Sequence, residues 1–207
     1  MMTLSLVIII ITCIISITAF NRPDEIDKLS MWPYMVREHN QYYRFITGGL
    51  VHADYMHLGF NMLTLWFFGR NIEIIFQQLF GNKIYFLLFY VLALIVSDIP
   101  SYIRHRNNYS YRSIGASGAV SAVVFAAILF QPWATILVFV IPMWAILYGV
   151  LFLGYSVYMS RRGGDGINHD AHFWGAIFGV LFPLVLKWDV VVPVFMYQIT
   201  HFPGFGR

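Results

Sequence analysis

From Trp133 to Met159 the chain carries no charged side chain, and five more apolar stretches cover about residues 4–20, 56–76, 84–103, 114–130 and 170–186. A helix needs roughly 20 apolar residues to cross a hydrocarbon layer about 30 Å thick, and runs of about 17 still qualify. Six such runs are more apolar surface than one soluble core can hide. Composition agrees, with 59% hydrophobic and 11% charged residues, against about 45–50% and about 25% in soluble domains. The expected fold is an all-α membrane protein, a six-transmembrane-helix bundle forming one domain over residues 1–207, with the lipid bilayer as its solvent. An even number of spans returns the carboxyl end to the side where the chain began.

The run at 4–20 could also be read as a signal peptide. No Lys or Arg precedes it and no small-x-small cleavage pattern follows Phe20, so it is taken as a retained first helix. The polar stretch from Asn21 to about Gly49 is the long connection of the chain, and long connections in compact proteins are often functional. The run from Trp133 to Met159 is longer than the bilayer is thick, so a tilted or bent helix is expected, with Pro142 at the kink. Gly163, Gly164 and Gly166 form a turn. In the tail at 188–207, the apolar piece 190–198 is too short to cross and is interrupted by Pro193. Cys13 is the single cysteine, which excludes an intramolecular disulfide, an iron–sulfur cluster and a thiolate zinc site; no cofactor is expected. The net charge of +3 comes from scattered Lys and Arg, a pattern suited to lipid headgroups that offers no footprint for nucleic acid. Nothing in the sequence assigns an oligomeric state.

Two reactive residues stand where lipid should be. Ser117 lies in Gly115-Ala116-Ser117-Gly118 at the start of the fourth run, and His172 at the start of the sixth. Polar groups at membrane depth cost about 2.5–3.5 kcal/mol on insertion scales and survive when they face other helices or a wet cavity. One long span and a turn separate the two, so both reach the same membrane face. A serine hydroxyl is a weak nucleophile until a base such as neutral imidazole lies within hydrogen-bond reach. Gly118, Ala122 and Ala126 recur every four residues on one helix, and Gly175 and Gly179 form a Gly-x-x-x-Gly face on the other, so the two backbones can approach closely. Alone, a serine before glycine is commonly a helix cap, and Gly-x-x-x-Gly is common in membrane helices. A third cluster, His52-x4-His57-x3-Asn61, opens the second run. His57 and Asn61 are four apart on one helix face, and two donors there suit an oxyanion hole. Taken alone, they could equally be interfacial residues touching headgroups.

With these three motifs in this order, the chain resembles the rhomboid family of intramembrane serine proteases over a rhomboid-like core of about residues 40–187. The resemblance implies a serine-type endopeptidase that cleaves transmembrane segments of other membrane proteins through a Ser–His dyad. In it Ser117 is the nucleophile, His172 is general base and then acid, and no aspartate completes a triad. His57, Asn61 and the Ser117 backbone N–H form the oxyanion hole. His52, Gly115, Gly118, Gly175 and Gly179 support the site. Tyr43-Arg44 stands where the family has Trp-Arg, with Glu73 at the far end of the second span, both in structural roles. Ser121 replaces the aromatic that stacks on the catalytic histidine in many members, a part Phe173 or Trp174 could take over. The Gly-x-Ser-x-Gly elbow of soluble hydrolases is excluded by Ala119.

Family topology puts both termini in the cytoplasm of a cell-membrane protein, with the active site opening to the extracytoplasmic side. Arg22, Lys28, Arg37, Arg44, Arg104, Arg106, Arg112, Arg161 and Arg162 then lie outside, against Arg70, Lys83, Lys187 and Arg207, contrary to the positive-inside tendency. Two other functions compete. A metal transporter would use His52, Asp54, His57, His169, Asp170 and His172, though all six sit near one face with no acidic relay through the midplane. A non-proteolytic rhomboid-like protein that binds membrane helices would normally have lost the serine or histidine, and this chain keeps both.

Overall fold

The computed structural model describes residues 2–138 and 140–202. Ten helices and one hairpin are seen among them. Helix α1 (Leu4–Ala19) is capped by Thr3, whose hydroxyl accepts from the Leu6 N–H. Three short helices, α2 (Pro23–Leu29), α3 (Pro33–His39) and α4 (Arg44–Thr47), and a 3-10 turn at Gly48–Leu50 fill the long connection. Helix α5 (Tyr55–Phe80) is capped by Asp54 and ends at Gly81, which adopts a φ of 76° that closes the helix. Helices α6 (Ile84–His105), α7 (Ser117–Phe130), α8 (Ala145–Arg162), α9 (His169–Leu186) and α10 (Trp188–Thr200) complete the set.

Helix α7 is the centre of the bundle, with every residue from Gly118 to Phe130 buried. Its neighbours are α5, α6, α8, α9 and α10. Small residues make this possible. A Cβ built on Gly175 would overlap the Gly118 carbonyl, and one on Gly179 would overlap the Ala122 carbonyl, so α7 and α9 pack backbone to backbone. Gly118 also faces α6, where a Cβ would meet the Ser97 Cβ at 2.7 Å. The small-residue faces read from the sequence thus meet each other. Phe76, Phe86 and Phe89, all fully buried, fill the end of the core away from Ser117.

Two expectations need correction. The apolar run from Trp133 to Met159 is not one helix. Residues Thr135–Val138 (β1) and Ile141–Trp144 (β2) form an antiparallel hairpin, and α8 starts at Ala145. Residues 135–141 are rich in β-branched types, which favour extended backbone. Pro142 pairs with Leu137 in the ladder instead of kinking a helix. A two-stranded ladder consists of edges, where a proline is tolerated. The tail is not interrupted at Pro193, because α10 runs through it from Trp188 to Thr200. At 13 residues α10 is short of a span. The Trp133 indole donates to the Gln198 carbonyl at 2.9 Å, tying this helix to the base of the hairpin.

The fold is therefore mainly helical rather than purely so. Two helices, α6 and α9, combine at least 18 residues with a mean hydropathy of 2.0 and 1.3 over their best windows, while α1 and α7 are shorter apolar helices. Helix α5 is long enough but carries Arg70 and Glu73. Glu73 accepts from the Ser5 backbone N–H at 3.1 Å, which joins α5 to α1.

Candidate active site

The connection before α7 is pinned on several sides. Met31 and Ser113 exchange backbone hydrogen bonds of 2.9 Å, and the Gly115 N–H donates to the Gly48 carbonyl at 2.9 Å. Gly115 has a φ of 114°, and a Cβ there would meet the His57 ring at 2.5 Å, so both backbone and space require glycine. Arg44 is buried and donates to the carbonyls of Asp27 and Ser30 at 2.8 Å each. The Arg112 guanidinium lies 3.9 Å from the Trp32 ring centre and pairs with Asp27. The long connection is thus a scaffold for the turn that delivers Ser117.

Ser117 begins α7, and His172 lies in the first turn of α9. The Ser117 Oγ is 2.8 Å from His172 Nε2. A hydroxyl that donates to Nε2 leaves the imidazole proton on Nδ1, the tautomer a general base needs. One face of the His172 ring stacks on Phe152 of α8, with centroids 5.9 Å apart and planes at 29°. The His169 ring meets it near a right angle at 5.6 Å. Phe173 and Trp174 pack against each other instead, so the ring stacked on His172 is Phe152 of α8. Ser121 is buried one turn beyond Ser117 and lines the cavity.

His57, Asn61, Ser117 and His172 all face one cavity of about 610 Å³. Asn61 donates through Nδ2 to the His57 carbonyl at 2.9 Å, leaving one amide hydrogen for another acceptor. The Ser117 N–H belongs to the first turn of α7, where backbone donors have no partner within the helix. Tyr148, Phe125 and Phe152 supply an apolar wall, with Arg112 and Asp165 also lining the cavity.

His52 is fully buried but does not line the cavity. The Ser16 hydroxyl donates to the Leu50 carbonyl at 2.8 Å, so its oxygen accepts from His52 Nδ1 at 2.9 Å. His52 Nε2 in turn accepts from the Ala116 N–H at 3.3 Å. A backbone donor on Nε2 requires the neutral ring, and burial, aided by the nearby His57, pushes the His52 pKa down to about 3. His52 therefore supports the residue before Ser117 and joins it to α1.

Two features escaped the sequence reading. Phe152 is remote from His172 in sequence, and nothing in its local pattern sets it apart. The His169–Asp165 pair had a visible signal in its spacing of four, and its Nε2–Oδ2 distance is 2.8 Å. The hydrogen bond to His169, together with the Ile167 N–H, holds the Asp165 carboxyl below the usual carboxylate range. Among the described residues no three His, Cys, Asp or Glu side chains gather to hold a metal, so the six ligands considered for a transporter are not brought together.

The Rhomboid domain family matches residues 39–189. RHOMBOID-like protein 12, mitochondrial, of Arabidopsis thaliana is 30% identical over 142 residues, 63% of this chain and 42% of that protein. Rhomboid-like protein 11, chloroplastic, of the same plant is 30% identical over 171 residues, 75% of this chain and 55% of that protein. Rhomboid protein 1, mitochondrial, of Saccharomyces cerevisiae is 30% identical over 141 residues, 63% of this chain and 38% of that protein. The match thus spans about half or less of each relative's length.

Proposed function

The chain belongs to the rhomboid family of membrane-embedded proteins, and on that premise we propose that it is an intramembrane serine endopeptidase acting on transmembrane segments of other membrane proteins. The observation that carries this reading is the 2.8 Å contact between Ser117 Oγ and His172 Nε2 at the wall of a cavity. As Oγ attacks a peptide carbonyl carbon, Nε2 takes the hydroxyl proton. The carbonyl oxygen becomes an oxyanion, met by donors from His57, Asn61 and the Ser117 N–H. When the tetrahedral species collapses, the C–N bond breaks and His172 returns the proton to the departing amine. Water, deprotonated by the same nitrogen, then attacks the acyl-enzyme and regenerates Ser117.

A peptide bond in a regular helix has its carbonyl occupied, so substrates should carry Gly, Pro or polar residues near the cut that ease unwinding. The extracytoplasmic opening is retained as part of the proposal. Of the nine basic residues on that side, Arg44 is buried, and Lys28, Arg37, Arg104 and Arg112 pair with acids. Arg207 on the other side lies outside the described residues. Cysteine-accessibility mapping at Arg37 and Lys83 tests sidedness; labelling of Lys83→Cys alone from outside would reverse it.

The test of the chemistry is a fluorophosphonate probe on the detergent-solubilised protein. Wild type is expected to label at Ser117, and Ser117→Ala and His172→Ala to lose the label. Folded wild type that neither labels nor cleaves helical substrates would instead favour a helix-binding protein.

A further inference from the structure

Helix α6 carries Asp98 within an otherwise apolar span, and the proposed chemistry does not use it. An ionisable residue at such a position persists when it has a specific partner. Its partner is Asn168, the N-cap of α9. Asn168 Oδ1 accepts from the Ser101 hydroxyl at 2.9 Å and from the Ala171 N–H at 3.1 Å. With both donors on the oxygen, the Asn168 amide nitrogen must turn to α6, where it donates to Asp98 Oδ1 at 3.3 Å. The Asn168 carbonyl also accepts from the His172 N–H at 3.3 Å. Asn168 thus caps α9 through its side-chain amide, which two residues of α6 hold, and accepts from the His172 N–H through its main-chain carbonyl.

We propose that Asp98 is a positioning residue for the dyad: it fixes the Asn168 amide, and through that cap the register of the first turn of α9 and the placement of His172 against Ser117. This rests on the catalytic reading of Ser117 and His172. Ser101 and Ala171 both donate to the Asn168 oxygen, so the amide has one orientation, and an unprotonated Asp98 oxygen accepts from its NH₂. The flipped amide would set oxygen against oxygen at Asp98 and NH₂ against the Ala171 N–H, uncapping α9. The other charged or titratable groups nearby are Tyr111, within electrostatic reach of Asp98, Asp170, which pairs with Arg104 and bonds Ser160, and, next to Asn168 on α9, His169, which pairs with Asp165.

The exchange of the two residues tests this. Asn168→Asp alone sets two carboxyls face to face, and one of them must take up a proton to keep a bond. Its fluorophosphonate labelling should fall about ten- to a hundredfold, the scale of a slightly misplaced catalytic group, and the deficit should deepen as pH rises from about 6 to 9. The double variant Asp98→Asn with Asn168→Asp restores every donor to an acceptor, and should recover the rate and the pH profile of wild type. Asp98→Asn keeps an acceptor and should lose less than Asp98→Leu, with thermal unfolding in the same detergent showing that each variant is folded. Asn168→Asp labelling like wild type across that range, or a double variant no faster than Asn168→Asp, overturns the proposal. Absence of labelling in wild type itself would instead sink the catalytic reading.

Discussion

Replacing Gly179 by Ala tests whether helix packing, rather than local chemistry, sets the dyad distance. The added Cβ would lie 2.7 Å from the Ala122 Cα and 2.8 Å from its carbonyl carbon, whereas carbon atoms rest about 3.5–4.0 Å apart. Both are backbone atoms and cannot rotate away, so α9 must retreat from α7 by about 1 Å. Gly179 lies seven residues beyond His172, about 10 Å along the helix axis, and touches none of the reacting groups. Part of the retreat is carried along the rigid helix to His172, stretching a contact that now measures 2.8 Å. A misplacement of about 1 Å costs up to about a hundredfold in rate, and overpacking costs about 1–3 kcal/mol in stability. The assay is the rate constant of fluorophosphonate labelling at saturating probe, with thermal unfolding in parallel. A tenfold or greater loss is expected. Gly154→Ala on α8 is the control, because its Cβ meets nothing within 4 Å and should leave the rate unchanged. Wild-type labelling and stability in Gly179→Ala would refute the idea that this packed face places the histidine.

Further expectations follow from the site. His57→Ala and Asn61→Ala should each lower turnover of a helical substrate about 100- to 1000-fold with little change in KM; equal loss in both parameters would argue against an oxyanion role. Phe152→Ala should slow turnover about two- to tenfold, the worth of one aromatic contact, with Phe152→Tyr recovering most of it, and an unchanged rate would remove the stacking from the account. His52 is held neutral, with a folded pKa of about 3 against 6.5 for the free side chain. Its contribution is complete above pH 6.5 and is lost as pH falls from there toward 3. Thermal unfolding of wild type should therefore drop faster with acid than that of His52→Gln across this window, and parallel curves would refute it.

Where the signal was periodic or compositional, it was legible. The six apolar runs each contain a helix, and Ser117, His172, His57 and Asn61 line one cavity because each sits near the start of its helix and facing small residues let the helices close. What failed was the assumption that an uncharged run is one element. Hydropathy is silent on whether an apolar segment is helical or extended, and at 135–144 the β-branched residues decided it. Of the helices in these runs, α6 and α9 pair span length with high hydropathy, while α5 is fixed by its Asp54 cap and its packed face, and α8 buries only Ala145, Gly149 and Ser156. Contacts between distant residues, such as Phe152 on His172 or Asp98 with Asn168, leave no mark in a single sequence.

The matched segment begins at residue 39, after α1, but it is not mechanically independent of α1. Ser16 holds the imidazole that props Ala116, and Ser5 meets the Glu73 carboxylate. Grafting the shared region onto another amino-terminal anchor would transplant the reactive groups and strand two buried polar ones. The exchangeable unit in this chain therefore begins earlier than sequence similarity suggests, and any chimera must bring a hydroxyl at the Ser16 position and a backbone N–H in the Ser5 position.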